Sequence, residues 1–284
     1  MPHACSLRSP TIPEPPRTVP EAVRRCEFPF PSAARRPVVV LDDGSEAALN
    51  AASRAALIAQ YVDAPVRLLA ARPGSARTAP HGHAMAYADH RAVAGAGLLV
   101  THLEEGCRPS EWLFGSRIEQ FVRRFSIPVL LVKQPASKRY GQVLVGVKLD
   151  APAGELIAAA KMLAPRAQIN AVHVLGTSHE YRLRLAGVSE DAIRAHRTGA
   201  YRDAYRKLCD LVMSGRGHEA AAAPQVVAGN APHRLLEMGV AARTGLIVLG
   251  KRPRHWLADL FLDRGIARTV LAEARSDVLL VPSK

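Results

Sequence analysis

The feature that most constrains this chain is that it repeats itself. Ile127-Pro128-Val129-Leu130-Leu131-Val132 and Ser276-Asp277-Val278-Leu279-Leu280-Val281 align with an offset of 149, each behind an amphipathic segment. The order of elements before them repeats as well. In the first copy Pro37–Leu41 reads as a buried strand, Asp42-Asp43-Gly44-Ser45 as a turn, and Glu46–Val62 as an alanine- and leucine-rich helix capped by Ser45. Strands at Val66–Ala70 and Leu98–Val100, a helix at Glu111–Phe125 and a strand at Pro128–Val132 complete it. In the second copy strands are expected at Gln142–Val147, Ile169–Val174, Gln225–Val227, Leu246–Leu249 and Val278–Val281. Helices are expected at Ala153–Leu163, Glu190–Met213 behind a Ser189 cap, Pro232–Ala242 and Ile266–Ala274. Strands apolar throughout, alternating with helices, require a parallel sheet covered on both faces.

A duplication of this kind predicts an α/β fold of two tandem doubly wound open parallel sheets. The copies are unequal: Arg72 to Leu98 is a short connection, whereas Gly176 to Leu246 holds a helix, a strand and another helix, so the first copy is truncated. The expected division is residues 1–35 as a mobile arm rich in proline and arginine, 36–134 as the truncated first domain, and 139–284 as the second. The charge is divided unevenly too. Residues 1–36 carry a net +3, 37–137 a net +1 and 138–284 a net +9, which together make the chain's +13. Basic charge on that scale favours anionic partners without naming one, and much of it is arginine spread along helices. Apolar runs fall far short of the roughly 20 residues needed to span a bilayer. With no visible secretory signal and four cysteines in no compact framework, a cytoplasmic protein with reduced thiols and no membrane partner is expected.

Several fragments, in the right order, resemble the universal stress protein family. Val40-Leu41-Asp42-Asp43-Gly44-Ser45 resembles its opening strand and turn, and Leu113-Phe114-Gly115-Ser116 with Ile127–Val132 its closing segment. Val226-Val227-Ala228-Gly229-Asn230-Ala231-Pro232 is similar to the turn before its third helix, and Leu246–Gly250 to the strand that opens its phosphate loop. The resemblance implies an adenine nucleotide alpha hydrolase-like fold, a stress-response role by binding rather than catalysis, and closing strands that meet as an intramolecular pseudo-dimer. A homodimer is a further possibility under the same resemblance.

The family's nucleotide binders carry G-x2-G-x9-G-[ST], whose glycines let backbone N–H groups approach phosphate at a helix N-terminus. Neither copy keeps it. In the first copy Asp43, Gly115 and Ser116 remain, while His102 and Glu105 fall where the first two glycines belong. A carboxylate about 4 Å from a phosphate charge, at an effective dielectric near 20, costs about 4 kcal/mol. That is about the whole free energy of a millimolar ligand. In the second copy Gly250 remains and Lys251 and Arg252 supply positive charge, but Pro253 removes an N–H donor and Lys148 replaces the turn aspartate. The candidate remnant sites are therefore Asp43, Gly115 and Ser116 in one copy, and Gly250, Lys251 and Arg252 in the other. No cofactor is expected. ATP or AMP is the ligand the resemblance brings to test, and a small anion held by the basic loop or a low-specificity polyanion are the alternatives.

Other constellations carry less. His81, His83, Asp89 and His90 have metal-ligand chemistry but the spacing of a polar linker. Cys107 sits in a loop, and Gly115-Ser116 lacks the second glycine of a nucleophile elbow. No Ser–His–Asp arrangement is visible in the sequence. Trp112 and Trp256 read as packing residues, with no interleaving of aromatic and basic side chains for nucleic-acid stacking.

Overall fold

Among the described residues, ten strands form one sheet. The computed structural model describes residues 36–72, 86–87, 93, 95–102, 127–149, 153–213, 222–251 and 266–282. The strands are β1 Val38–Asp42, β2 Val66–Arg72, β3 Ala86–Tyr87, β4 Leu98–His102 and β5 Val129–Val132, then β6 Gln142–Gly146, β7 Gln168–Leu175, β8 Ala223–Ala228, β9 Leu246–Lys251 and β10 Asp277–Pro282. The helices are α1 Glu46–Val62, α2 Ala153–Leu163, α3 Ser178–Leu185, α4 Glu190–Met213, α5 Ala231–Ala241 and α6 Ile266–Glu273. The expected helix at Glu111–Phe125 lies outside the described residues, as does the arm at 1–35.

Within each half the order is the doubly wound one. β2-β1-β4-β5 pair in parallel in the first half, and β8-β7-β6-β9-β10 in the second. The ladders superpose residue by residue. Val38 faces Val66 and Leu98, just as Val143 faces Ile169 and Leu246. By this register Asp43 corresponds to Lys148, His102 to Gly250 and Leu68 to Ala171. The edge differs between the halves: where β8 runs parallel to β7, the two-residue β3 runs antiparallel to β2. Sequence periodicity misses so short a strand.

The two expected sheets are joined into one. β5 and β10 pair antiparallel, Val278 with Leu131, Leu279 with Leu130 and Leu280 with Val129. Under the offset of 149 this register maps onto itself about the Leu130–Leu279 pair. Burial explains why both strands are apolar: Val129–Val132 and Val278–Val281 are all buried, with helices over both faces. The antiparallel seam also turns the strands of the two halves in opposite directions. Their C-terminal ends, where open α/β sheets bind ligands, therefore lie at opposite edges of the sheet.

A buried ionic knot fastens the seam. Asp277 is fully buried at the start of β10, and its Oδ2 lies 3.1 Å from Arg54 Nε on α1. Asp277 Oδ1 accepts from the backbone N–H groups of Lys133 and Gln134, and Oδ2 accepts from the Tyr140 hydroxyl at 2.5 Å. Arg54 donates to the carbonyls of Lys138 and Pro135 and lies over the Tyr140 ring at 4.4 Å. Asn50, on the same helix face, donates to the Gln134 carbonyl and accepts from Ala136 N–H. Lys133 Nζ donates to the Leu271 and Ala274 carbonyls at the end of α6, where the helix dipole favours a cation. Residues 133–140 are thus tied to α1 on one side and to β10 and α6 on the other.

Candidate functional site

Each half has a switch point, between β1 and β4 in the first and between β6 and β9 in the second, where the chain winds in opposite directions. The residues there differ completely.

In the first half the β1–α1 turn is built by its own side chains. Asp42 Oδ1 accepts from Gly44 N–H, Asp43 Oδ1 from Ser45 N–H, and Gly44 takes φ +79°, which suits glycine. Ser45 caps α1, its hydroxyl accepting from Ala48 N–H at 3.1 Å. Across the crevice, at the end of β4, His102 is only 4% exposed. Its Nε2 lies 3.0 Å from Asp43 Oδ2 and 3.3 Å from Ser45 Oγ. Burial raises the Asp43 carboxyl, but hydrogen bonds from Ser45 and from His102 outweigh it and hold the group below the ordinary carboxylate value. Asp43, the aspartate expected to meet a ligand, is thus already engaged by the histidine beside it.

Ser45, His102 and Asp43 are the residue types of a hydrolytic triad, brought together by a fold whose sequence showed no such set. Their geometry does not match the relay. A triad holds its aspartate on Nδ1 and its serine on Nε2. Here both neighbours address Nε2, while His102 Nδ1 is buried without a hydrogen-bond partner among the described residues. Ser45 Oγ is also occupied as a helix cap. The signal that could have found the cluster is the pairing of β1 with β4, which puts the end of one strand beside the turn that follows the other.

In the second half Gly250 stands where His102 stands in the first, and Lys148 where Asp43 stands. A Cβ on Gly250 would meet the Leu156 side chain of α2 at 3.2 Å, so this glycine admits packing by α2. Lys148 is exposed immediately after β6. Beside it, Val147 N–H donates to the Val172 carbonyl, and His173 Nδ1 donates to the Val147 carbonyl at 2.9 Å. Gly229 takes φ +138°, which disfavours any residue with a side chain, and Asn230 then caps α5 by accepting from His233 N–H. Lys251 ends β9, its backbone in register with Pro282.

The remaining expected site residues, Gly115, Ser116 and Arg252, lie outside the described residues. So do Glu105, Cys107, Pro253, Trp112, Trp256 and the cluster His81, His83, Asp89 and His90. Among the described residues, no three His, Cys, Asp or Glu side chains gather as metal ligands. Among them, too, no helix is long and apolar enough to cross a membrane.

Comparison with known proteins bears on the same halves. The profile of the Universal stress protein family matches residues 139–282. No curated protein matches the sequence. Among solved structures, a putative universal stress protein from Pseudomonas aeruginosa UCBPP-PA14 is similar, at 18% identity and a TM-score of 0.57, covering 88% of this chain and 94% of that one. A functionally unknown protein from Pseudomonas aeruginosa PAO1 aligns at 19% identity and a TM-score of 0.56, over 88% and 93% of the two chains. A universal stress protein from Archaeoglobus fulgidus DSM 4304 aligns at 12% identity and a TM-score of 0.56, over 87% and 96%. At such identities the likeness is one of fold, and it extends over both halves.

Proposed function

The chain belongs to the universal stress protein family, and on that premise we propose that it is a cytoplasmic stress-response factor that acts by binding, not catalysis. Its halves form an intramolecular pseudo-dimer, a reading supported by the self-symmetric register of β5 and β10. The ligand site we assign lies in the second half, at the end of β6 and β9, where Gly250 with Lys148, Lys251 and Arg252 would take a small phosphate-bearing anion through side chains.

The observation that carries this is the exchange of Asp43 and His102 in one half for Lys148 and Gly250 in the other. In the first half a buried histidine lies in the crevice and binds the one acid that a ligand would use. Asp43 is therefore a relic there. In the second half the side chain that fills the place is absent and the charge is reversed. With Leu156 packed on Gly250 and Pro253 lacking an N–H donor, the anion is held by ammonium and guanidinium groups. Such a site discriminates little between bases.

Titration calorimetry with ATP, AMP and pyrophosphate tests the proposal. Weak binding shared by pyrophosphate, and lost in Lys148→Ala and Lys251→Ala, is expected. Micromolar, adenine-selective, magnesium-dependent binding would mean a standard nucleotide sensor instead. Binding only to long polyanions, falling steeply with salt, would mean that the net +9 of residues 138–284 acts as a diffuse surface.

A further inference from the structure

Where the two halves meet on one face of the sheet, α1 and α2 pack together and leave a cleft between them. Ile58 of α1, with Leu163 and Ala164 at the end of α2, makes its apolar floor, and all three are buried. The offset that equates Asp43 with Lys148 also equates Ile58 with Leu163 and Tyr61 with Arg166, and these four side chains line the same cleft. The cleft therefore straddles the pseudo-dyad. The chain breaks the symmetry there by placing an arginine where the first copy has a tyrosine. Counted to its open mouth, the cleft spans about 310 Å³, so its occupant is small. Neither Lys148 nor Lys251 lines it.

Three arginines border this apolar surface and, among the described residues, no carboxylate does. Arg54 is already engaged, being buried and paired with Asp277. Arg139 and Arg166 are not. Both are exposed, and among the described residues neither guanidinium has a hydrogen-bonding or acidic partner. Arg139 is held in place all the same, its guanidinium carbon lying 4.7 Å from the centroid of the Tyr61 ring. A cation over a ring face keeps the N–H groups at its own edge open to an acceptor. Tyr140 also lines the cleft, and with its hydroxyl donated to Asp277 its ring serves there as apolar surface.

We propose that this cleft binds a small aromatic acid, its flat ring against Ile58 and Leu163 and its carboxylate held by Arg139 and Arg166. Each part of that ligand answers one part of the cleft. A bare inorganic anion would meet two exposed arginines and leave the apolar floor wet, and exposed ion pairs contribute little. A neutral ring would gain nothing from the two free guanidiniums. A planar carboxylate matches the guanidinium fork with two parallel hydrogen bonds. Tyr61 holds Arg139 beforehand, which lowers the ordering cost of binding. The ligand would touch α1, α2 and the 133–140 connection at once, and so join the two halves across the seam.

The test titrates the isotope-labelled full chain with benzoate, benzyl alcohol and inorganic phosphate, read by nuclear magnetic resonance of methyl groups. Benzoate should move the Ile58 and Leu163 methyl signals to saturation. Benzyl alcohol, which lacks the carboxylate, and phosphate, which lacks the ring, should bind at least about tenfold more weakly. Arg139→Gln and Arg166→Gln should each weaken benzoate by about the same factor at unchanged melting temperature, since both side chains are exposed. Lys148→Ala should leave benzoate binding as it is. Still signals at Ile58 and Leu163, or equal benzoate affinity in the wild type and both arginine variants, would overturn the proposal. So would benzyl alcohol or phosphate binding as tightly as benzoate, because one part of the ligand would then be idle.

Discussion

Asp277→Ala is expected to be among the costliest single substitutions in the chain. The carboxylate is fully buried and makes four contacts: Arg54 Nε at 3.1 Å, the Lys133 and Gln134 N–H groups at 2.8 Å each, and the Tyr140 hydroxyl at 2.5 Å. Removing it strands a guanidinium whose side chain is 3% exposed. Breaking a buried pair from one side costs about 3–5 kcal/mol. At about 2–4 °C per kcal/mol for a chain near this size, the melting temperature should fall by roughly 10 °C. The magnitude comes from the uncompensated charge, so the double variant Arg54→Met/Asp277→Leu should recover much of the loss. Thermal melts and urea titrations of Arg54→Met, Asp277→Leu and the double close the cycle. A loss under about 1 kcal/mol for Asp277→Ala, the range of an exposed pair, would mean that no buried charge is stranded. A double variant that loses the sum of the two singles would mean that the pair is uncoupled.

Ser45→Ala removes the cap of α1 and should cost about 1 kcal/mol in a urea titration. Leu130→Ala, at the centre of the β5–β10 seam, should cost about 2–5 kcal/mol, and Leu130→Lys more, with both halves losing protection together in hydrogen exchange. Burial lowers the Lys133 ammonium to about 8 from 10.5, with Asp277 acting in the opposite direction. Above pH 8 the folded chain therefore releases a proton that the unfolded chain keeps until about pH 10.5. Stability should rise from pH 8 toward pH 10, and Lys133→Met should flatten that rise in melts taken across the range.

The elements that could be read from the sequence are those whose boundaries are chemical. α1 and α4 begin behind Ser45 and Ser189, whose hydroxyls accept from Ala48 and Ala192 N–H, and their apolar positions recur at helical spacing. α3 was not legible because it buries no residue. It is held instead by ion pairs, Arg184 with Glu190 and Arg197 with Glu180, and these look in sequence like ordinary surface charge. Arg54 and Asp277 were missed for the same reason: a charge in an apolar segment says nothing of a partner 223 positions away. At the site, motif spacing placed His102 and Gly250 at equivalent positions, and the ladders agree. That His102 would bind Asp43 and Ser45 needed β1 and β4 side by side. That Gly250 serves Leu156 needed the packing of α2.

On the proposed function, the second half binds an anion while the first is shut by its own side chains, at opposite edges of one sheet. Nuclear magnetic resonance of the isotope-labelled chain, titrated with pyrophosphate and then AMP, tests it most directly. The amide signals of Gly146, Lys148 and Lys251 are expected to move while the ring signals of His102 and the amides of Asp43 and Ser45 stay fixed. Movement of the His102 ring with Asp43 and Ser45, at still signals around Lys148, would contradict it.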